Sequence, residues 1–159
     1  MNSHFPRIII IKDHQITMSK PITPLLTVDA VILLNNKEEI ILIRRKNPPF
    51  EGELALPGGF VDVGETVENA CIREAKEETN INIKIIKLIG VFSDPKRDPR
   101  GHNVTIAFLC EPVTKNEKPM ALDDAAALEI VSISNVKSLD LAFDHKKIIE
   151  CSGILKNYK

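Results

Sequence analysis

Three glutamates crowd the end of one segment, Arg73-Glu74-Ala75-Lys76-Glu77-Glu78-Thr79. Positions i, i+3 and i+4 share a face of an α-helix, so the carboxylates of Glu74, Glu77 and Glu78 fall within an arc of about 100°. Repulsion between exposed like charges at this spacing is only about 0.2–0.5 kcal/mol per pair, and a solvated acidic face would tolerate it. The preceding turns say more. Val67, Ala70 and Cys71 lie on the same side and are small or apolar, as on a helix whose first turns pack under a sheet and whose last turn borders a cleft. Acids at a cleft rim imply a cation, and hard carboxylate oxygens suit Mg²⁺, or Mn²⁺, better than Zn²⁺.

The ends of this helix are also legible. Thr66 is a good N-cap, Glu68 puts a negative charge in the first turn, and Asn80 can take the left-handed conformation that stops a helix. The spacing predicts a helix over about residues 66–79. Just upstream, Pro57-Gly58-Gly59 supplies backbone with no side chain to hold a ligand or an ion away.

With the helix and the glycine turn in view, Gly59, Glu65, Arg73, Glu74, Glu77, Glu78 and Ile81 resemble the Nudix box of the Nudix hydrolases. Ala75 departs from the larger aliphatic residue usual there, and Asn80 replaces the glycine that ends the family's helix. The resemblance implies metal-assisted hydrolysis of a diphosphate. It further implies that Glu74, Glu77 and Glu78 hold Mg²⁺ with help from the Gly58 carbonyl, Glu78 being the most direct ligand. Arg73 and Glu65 would brace the loop against the helix, with contact of Glu65 to a further metal left open.

The remaining pattern gives strands at Leu25–Leu34, Ile40–Arg45, Ile81–Phe92, Val104–Cys110 and Leu128–Ile133, and a closing helix from Phe143 to Leu155. Strands and helices without regular alternation indicate an α+β fold, and the resemblance implies a Nudix-type α/β/α sandwich with a mixed β-sheet between helices. At 159 residues and 43% hydrophobic content the expectation is a single domain. Residues 1–23 would form an N-terminal arm or hairpin, with Arg7–Lys12 a strand and Asp13-His14 a turn. The four consecutive isoleucines from Ile8 to Ile11 should add to the sheet or reach across to a second subunit of a homodimer.

The net charge of -1 offers no general attraction to nucleic acid or to an anionic membrane, and no apolar run is long enough for a signal peptide or a membrane span. Cys71, Cys110 and Cys151 are odd in number and widely separated, which argues against a disulfide scaffold or a CxxC metal site. A cytoplasmic protein is expected.

A second informative stretch, Ser93 to His102, reads SDPKRDPRGH. Its Asp-Pro turns make it rigid and bring Lys96, Arg97 and Arg100 near one another. A metal-bound diphosphate needs both signs of charge close together, and an acidic helix with a cationic loop on one sheet would supply them. Arg44 and Arg45, ending a strand, could add guanidinium forks. Phe50 is a candidate to stack on a base, and His102 either takes part or holds its own loop. RRKNPPFEGELALPGGFVDVGET, FSDPKRDPRGH and LAFDHKKII together resemble the ADP-ribose pyrophosphatase branch of the Nudix hydrolases. That likeness implies hydrolysis of ADP-ribose to AMP and ribose 5-phosphate, although Leu54 departs from the aromatic residue often found ahead of the LPGG turn.

For the proton acceptor the family offers a helix glutamate, here Glu77, or a metal-bound hydroxide, with Glu117 on a later loop as the next candidate. Asp123-Asp124 in that loop is followed by alanines where relatives often carry a glutamate. His145 reads as a surface or helix-start residue. Two other readings stay open. A nucleoside triphosphate or dinucleotide pyrophosphohydrolase would share the whole box, and a non-catalytic nucleotide sensor would keep the fold. Retention of every box carboxylate stands against the sensor, as does the short stretch after the last helix, which leaves no room for a DNA-binding domain.

Overall fold

Two layers of core form because the central strands are apolar on both faces. A computed structural model describes residues 9–12, 15–18, 22–114, 117–121 and 125–157. Its strands are β1 (Ile9–Lys12), β2 (Gln15–Met18), β3 (Leu25–Leu34), β4 (Glu39–Arg45), β5 (Leu54–Ala55), β6 (Gly58–Phe60), β7 (Ile83–Phe92), β8 (Asn103–Pro112) and β9 (Ala125–Ser132). Helix α1 (Val67–Thr79) lies between β6 and β7, and α2 (Ile133–Val136) and α3 (His145–Ser152) follow β9.

Seven strands make one mixed sheet in the order β5-β4-β3-β8-β7, with β6 also pairing β3 and β9 also pairing β4. The β3–β8 pair is parallel and the other strand pairs are antiparallel. Alternate residues of a strand face opposite sides. Thus Val28, Ala30 and Ile32 of β3 pack with Ala70, Cys71 and Ala75 of α1, while Val31 and Leu33 pack with Ile133 and Val136 of α2 and Ile148 and Ile149 of α3. The result is an α/β/α sandwich around a mixed sheet. Ala75, small for its position in the box, is completely buried against that sheet.

Helix α1 is capped as its residues dictate. Thr66 accepts a hydrogen bond from the Asn69 amide at 3.2 Å, and Asn80, at φ 58°, donates its amide to the Lys76 carbonyl at 2.9 Å. The hairpin is a different matter. Strands β1 and β2 pair with one another as a separate two-stranded sheet, and among the described residues neither joins the seven-stranded one, so of the two expectations for the hairpin the structure does not show it adding to the sheet. Arg7, the turn at Asp13-His14 and Asp123-Asp124 lie outside the described residues. No described helix is long and apolar enough to cross a membrane.

Two pairings set up the site. Strand β6 lies against β3 with Gly58 opposite Asp29, and Asn103, which ends the loop after β7, pairs with Leu25 at the start of β3. The glycine turn, the end of α1, the 93–102 loop and the start of α3 therefore meet around one half of β3.

Candidate functional site

The acidic side is close-packed because both glycines lack a Cβ. A Cβ on Gly58 would lie 2.1 Å from the Val28 carbonyl oxygen and 2.8 Å from Asp29 Oδ1, and one on Gly59 would lie 2.4 Å from Glu74 Oε1. The Gly58 amide donates to Glu78 Oε2 at 2.9 Å, and Glu78 is only 7% exposed. Arg73 ties the rest together. Its Nε and Nη2 each donate to Glu65 at 3.0 Å, Nη2 also reaches the Phe60 carbonyl at 2.9 Å, and Nη1 bonds Glu74 at 2.8 Å and Glu77 at 3.2 Å.

Electrostatics follow from this packing. Burial pushes the Glu74 carboxyl above the usual range against the opposing pull of Arg73, and the nearby Glu77 and Glu65 push the same way. The hydrogen bond from Arg73 holds Glu65 below the usual range, and Glu65 in turn raises Arg73. A cation thus already stands between Glu74 and Glu77, but it is a guanidinium.

Among the described residues no group of three or more His, Cys, Asp or Glu side chains is gathered to hold a metal. Glu77, drawn to Arg73 one turn back, is 46% exposed in its side chain and is not part of the cleft wall. The structure brings Glu74, Glu78 and Gly58 to the cleft and leaves Glu77 outside it. This smaller set still fits a hard divalent ion by type. Two carboxylates line the cleft beside a glycine turn whose missing side chains let Glu74 close onto the backbone.

The cleft also has a floor that sequence reasoning missed. The cleft measures about 320 Å³, within the range of small-ligand sites. Asp29, 7% exposed, and His145, 4% exposed, line it. Arg97 Nη2 approaches Asp29 Oδ2 at 3.7 Å, and His145 Nε2 approaches Asp29 Oδ1 at 3.6 Å. Arg97 is held by Asp144, with Nη2 at 2.6 Å from Oδ1, and donates from Nη1 to Thr105 Oγ1 at 3.0 Å. Burial raises the Asp29 carboxyl despite His145 and Arg97, and burial lowers the His145 imidazole despite Asp29.

The direction of the His145 shift has a measurable consequence. Because the folded form resists protonation, the unfolded chain takes up more protons once the pH falls below about 6.5. The stability from this group is full above that pH and is lost as the pH falls towards the lower folded-state value. Asp29, shifted upward, contributes the opposite slope, so the informative comparison is between the parent and His145→Asn. Melting curves of the metal-free proteins from pH 8 to 5 should show a shallower acid-side decline for the variant; an unchanged slope would remove His145 from the account.

Other expected site residues divide. Successive side chains of β4 point to opposite faces, so Arg45 lines the cleft while Arg44 turns away to Glu129 and the Gly52 carbonyl. Arg100 lines the cleft, fixed by Asp98 through Nε at 3.0 Å and Nη2 at 2.7 Å, and its guanidinium lies 5.8 Å from the Phe60 ring and 5.4 Å from the Phe143 ring. Arg97 also reaches the cleft, but its side chain is 4% exposed and neutralised by Asp144. Of the three loop cations, Arg97 and Arg100 line the cleft and Lys96 does not.

Phe50 lies outside the cleft wall and packs edge-on against Phe143 at 4.8 Å between centroids. Phe143, with Arg45 4.9 Å from its ring centroid, lines the cleft in its place, as does Phe60. His102 is exposed and sits 3.3 Å from the Ser93 carbonyl at the neck of its own loop. Glu117 accepts hydrogen bonds from Asn82 and Thr114 away from the cleft, which lowers its carboxyl. His145 does start a helix but is buried, which corrects its reading as a surface residue. Asp29 carried a usable signal, since it is the lone charge in the run LLTVDAVILL, and a buried charge in an apolar strand needs a reason.

Residues 23–150 match the family model described as NUDIX domain. The chain belongs to the Nudix family. As a Nudix hydrolase it is 50% identical over 127 residues to the ADP-ribose pyrophosphatase of Methanocaldococcus jannaschii, covering 80% of this chain and 72% of that protein. It is 34% identical to the ADPR responsive transcriptional repressor NtrR of Acinetobacter baylyi over 80% of this chain and about half, 52%, of the repressor. Among solved structures, the NUDIX domain of Shewanella oneidensis NrtR complexed with ADP ribose superposes with a TM-score of 0.74 at 29% identity, covering 82% of this chain and 87% of that one. The Francisella tularensis bifunctional NMN adenylyltransferase/ADP ribose pyrophosphatase, complexed with AMP and a Mn ion, superposes at 0.72 with 32% identity, over 86% of this chain and 42% of that one.

Proposed function

We propose that this Nudix hydrolase cleaves the diphosphate of ADP-ribose to AMP and ribose 5-phosphate with Mg²⁺, or Mn²⁺, as its cofactor. The observation that carries the reading is one cleft lined by the carboxylates of Glu74 and Glu78 together with Arg45, Arg100, Phe60 and Phe143. The similarity to the M. jannaschii pyrophosphatase supports the choice of substrate.

Glu78, Glu74 and the Gly58 carbonyl would hold the ion. When bound it supplies charge withdrawal from the phosphate oxygens and acidifies water. The chain's own residues do the rest. Arg73 orients Glu74 from behind, and Glu65 and the Phe60 carbonyl keep Arg73 in place. Arg100, already paired with Asp98, presents a pre-oriented guanidinium to an anionic substrate without the full entropy of ordering it. Phe143 and Phe60 exclude water and offer flat apolar surface at the same mouth.

A second reading, binding of ADP-ribose without cleavage, is favoured by the repressor similarity and by the guanidinium between Glu74 and Glu77. Purified protein incubated with Mg²⁺ and with ADP-ribose, NADH, diadenosine polyphosphates, sugar nucleotides and nucleoside triphosphates separates the readings by chromatography of the products. Preferred conversion of ADP-ribose, lost on adding EDTA, is the expected result. Preferred cleavage of a triphosphate would overturn the substrate, and ADP-ribose binding with no turnover would favour the sensor.

A further inference from the structure

We infer that His145 is a positioning residue for the acidic wall of the cleft, holding through the Leu56 amide the turn on which Gly58 meets Glu78. The inference rests on the proposed reading that this wall binds a divalent ion. The alternative is a buried histidine that merely fills space.

Three observations favour positioning. The Leu56 amide donates to His145 Nδ1 at 2.9 Å in a buried setting, and two residues later the Gly58 amide donates to Glu78 Oε2 at 2.9 Å. Between them Pro57 has no amide to donate, and its carbonyl accepts from the Ala30 amide at 2.8 Å. Three consecutive residues are thus fixed by α3, β3 and α1 in turn, so the turn has no freedom to shift without breaking a bond to a different element.

The second observation is the tautomer. Because Nδ1 accepts, the ring proton of neutral His145 resides on Nε2, and Nε2 faces Asp29 Oδ1 at 3.6 Å. Asp29 is placed by Arg97, and Arg97 by Asp144, the residue before His145. The chain of contacts closes on itself and sets the ring orientation from both sides. Burial acts in the same sense by keeping the ring neutral.

The third is the crowding at Gly58, whose α-carbon hydrogens face Val28 and Asp29 with no room for a Cβ. A turn packed this closely passes a displacement at Leu56 on to Gly58 rather than absorbing it. Partners that orient the residues around a metal commonly change its affinity by about 10- to 100-fold when removed.

The test compares His145→Asn with His145→Gln. An asparagine oxygen falls near the place of Nδ1 and can still accept from Leu56, whereas a glutamine amide reaches towards the place of Nε2 and cannot. Mn²⁺ binding without nucleotide, followed by the paramagnetic resonance of free Mn²⁺, should weaken about tenfold in His145→Gln and stay within about threefold of the parent in His145→Asn. Equal affinity in all three proteins would overturn the inference, and so would equal loss in both variants. An imidazole ¹⁵N spectrum of the parent supplies a check that needs no variant, since protonated Nδ1 at neutral pH would also overturn it. A parent that binds Mn²⁺ yet leaves ADP-ribose intact would refute the proposed reaction while the His145 comparison remained decisive.

Discussion

Glu78→Gln should fold normally and lose nearly all Mg²⁺-dependent turnover of ADP-ribose. The amide oxygen of glutamine can still accept from the Gly58 amide, so the hydrogen bond at 2.9 Å that docks the turn on α1 survives. What disappears is the negative charge. A bound divalent ion contributes several kcal/mol to transition-state stabilisation, and at about 1.36 kcal/mol per tenfold this amounts to a loss on the order of 10³-fold in kcat. The measurements are a thermal melt and a Mg²⁺ titration of activity for both proteins. Turnover within tenfold of the parent, with an unchanged metal requirement, would sink the assignment of Glu78 to the ion.

Asp144→Ala is expected to have the largest effect on stability. Arg97 is 4% exposed in its side chain and takes its shortest contact, 2.6 Å, from Asp144. Removing that carboxylate leaves a buried guanidinium with Asp29 at 3.7 Å and the Thr105 hydroxyl as partners. Breaking one side of a buried ion pair costs about 3–5 kcal/mol, equivalent to a fall in Tm of roughly 10 °C for a protein of this size. Denaturant unfolding should show a lower midpoint at similar slope. A loss below about 1 kcal/mol would mean that water reaches Arg97.

The helix of the box was readable because its determinants are local. Thr66, Glu68 and Asn80 act within a turn of the residues they cap, and the glycines of the turn act on the backbone they belong to. The floor of the cleft was not readable in this way. Asp29, Arg97, Asp144 and His145 come from β3, a loop and the start of α3, and it takes both the parallel pairing of β3 with β8 and the docking of residues 141–145 against Leu54 and Leu56 to bring them into contact. Charge type misled in the same region. Arg97 looks like a free cation beside Lys96 and Arg100, yet it turns inward to Asp144, and His145 is disguised by the lysines that follow it. The choice between Arg44 and Arg45, and between Phe50 and Phe143, is decided by strand alternation and by ring packing that no local spacing encodes.

The parallel β3–β8 pair also bears on how the site is made. Thr27 and Thr105 hydrogen-bond across this pair although 78 positions apart, and contacts of such separation form slowly because a long loop must first be closed. During synthesis the acidic helix leaves the ribosome well before β8 and before His145. Until those segments arrive, β3 lacks its parallel neighbour and Leu56 lacks its acceptor, so a nascent chain that already carries every glutamate of the box is still without a working cleft.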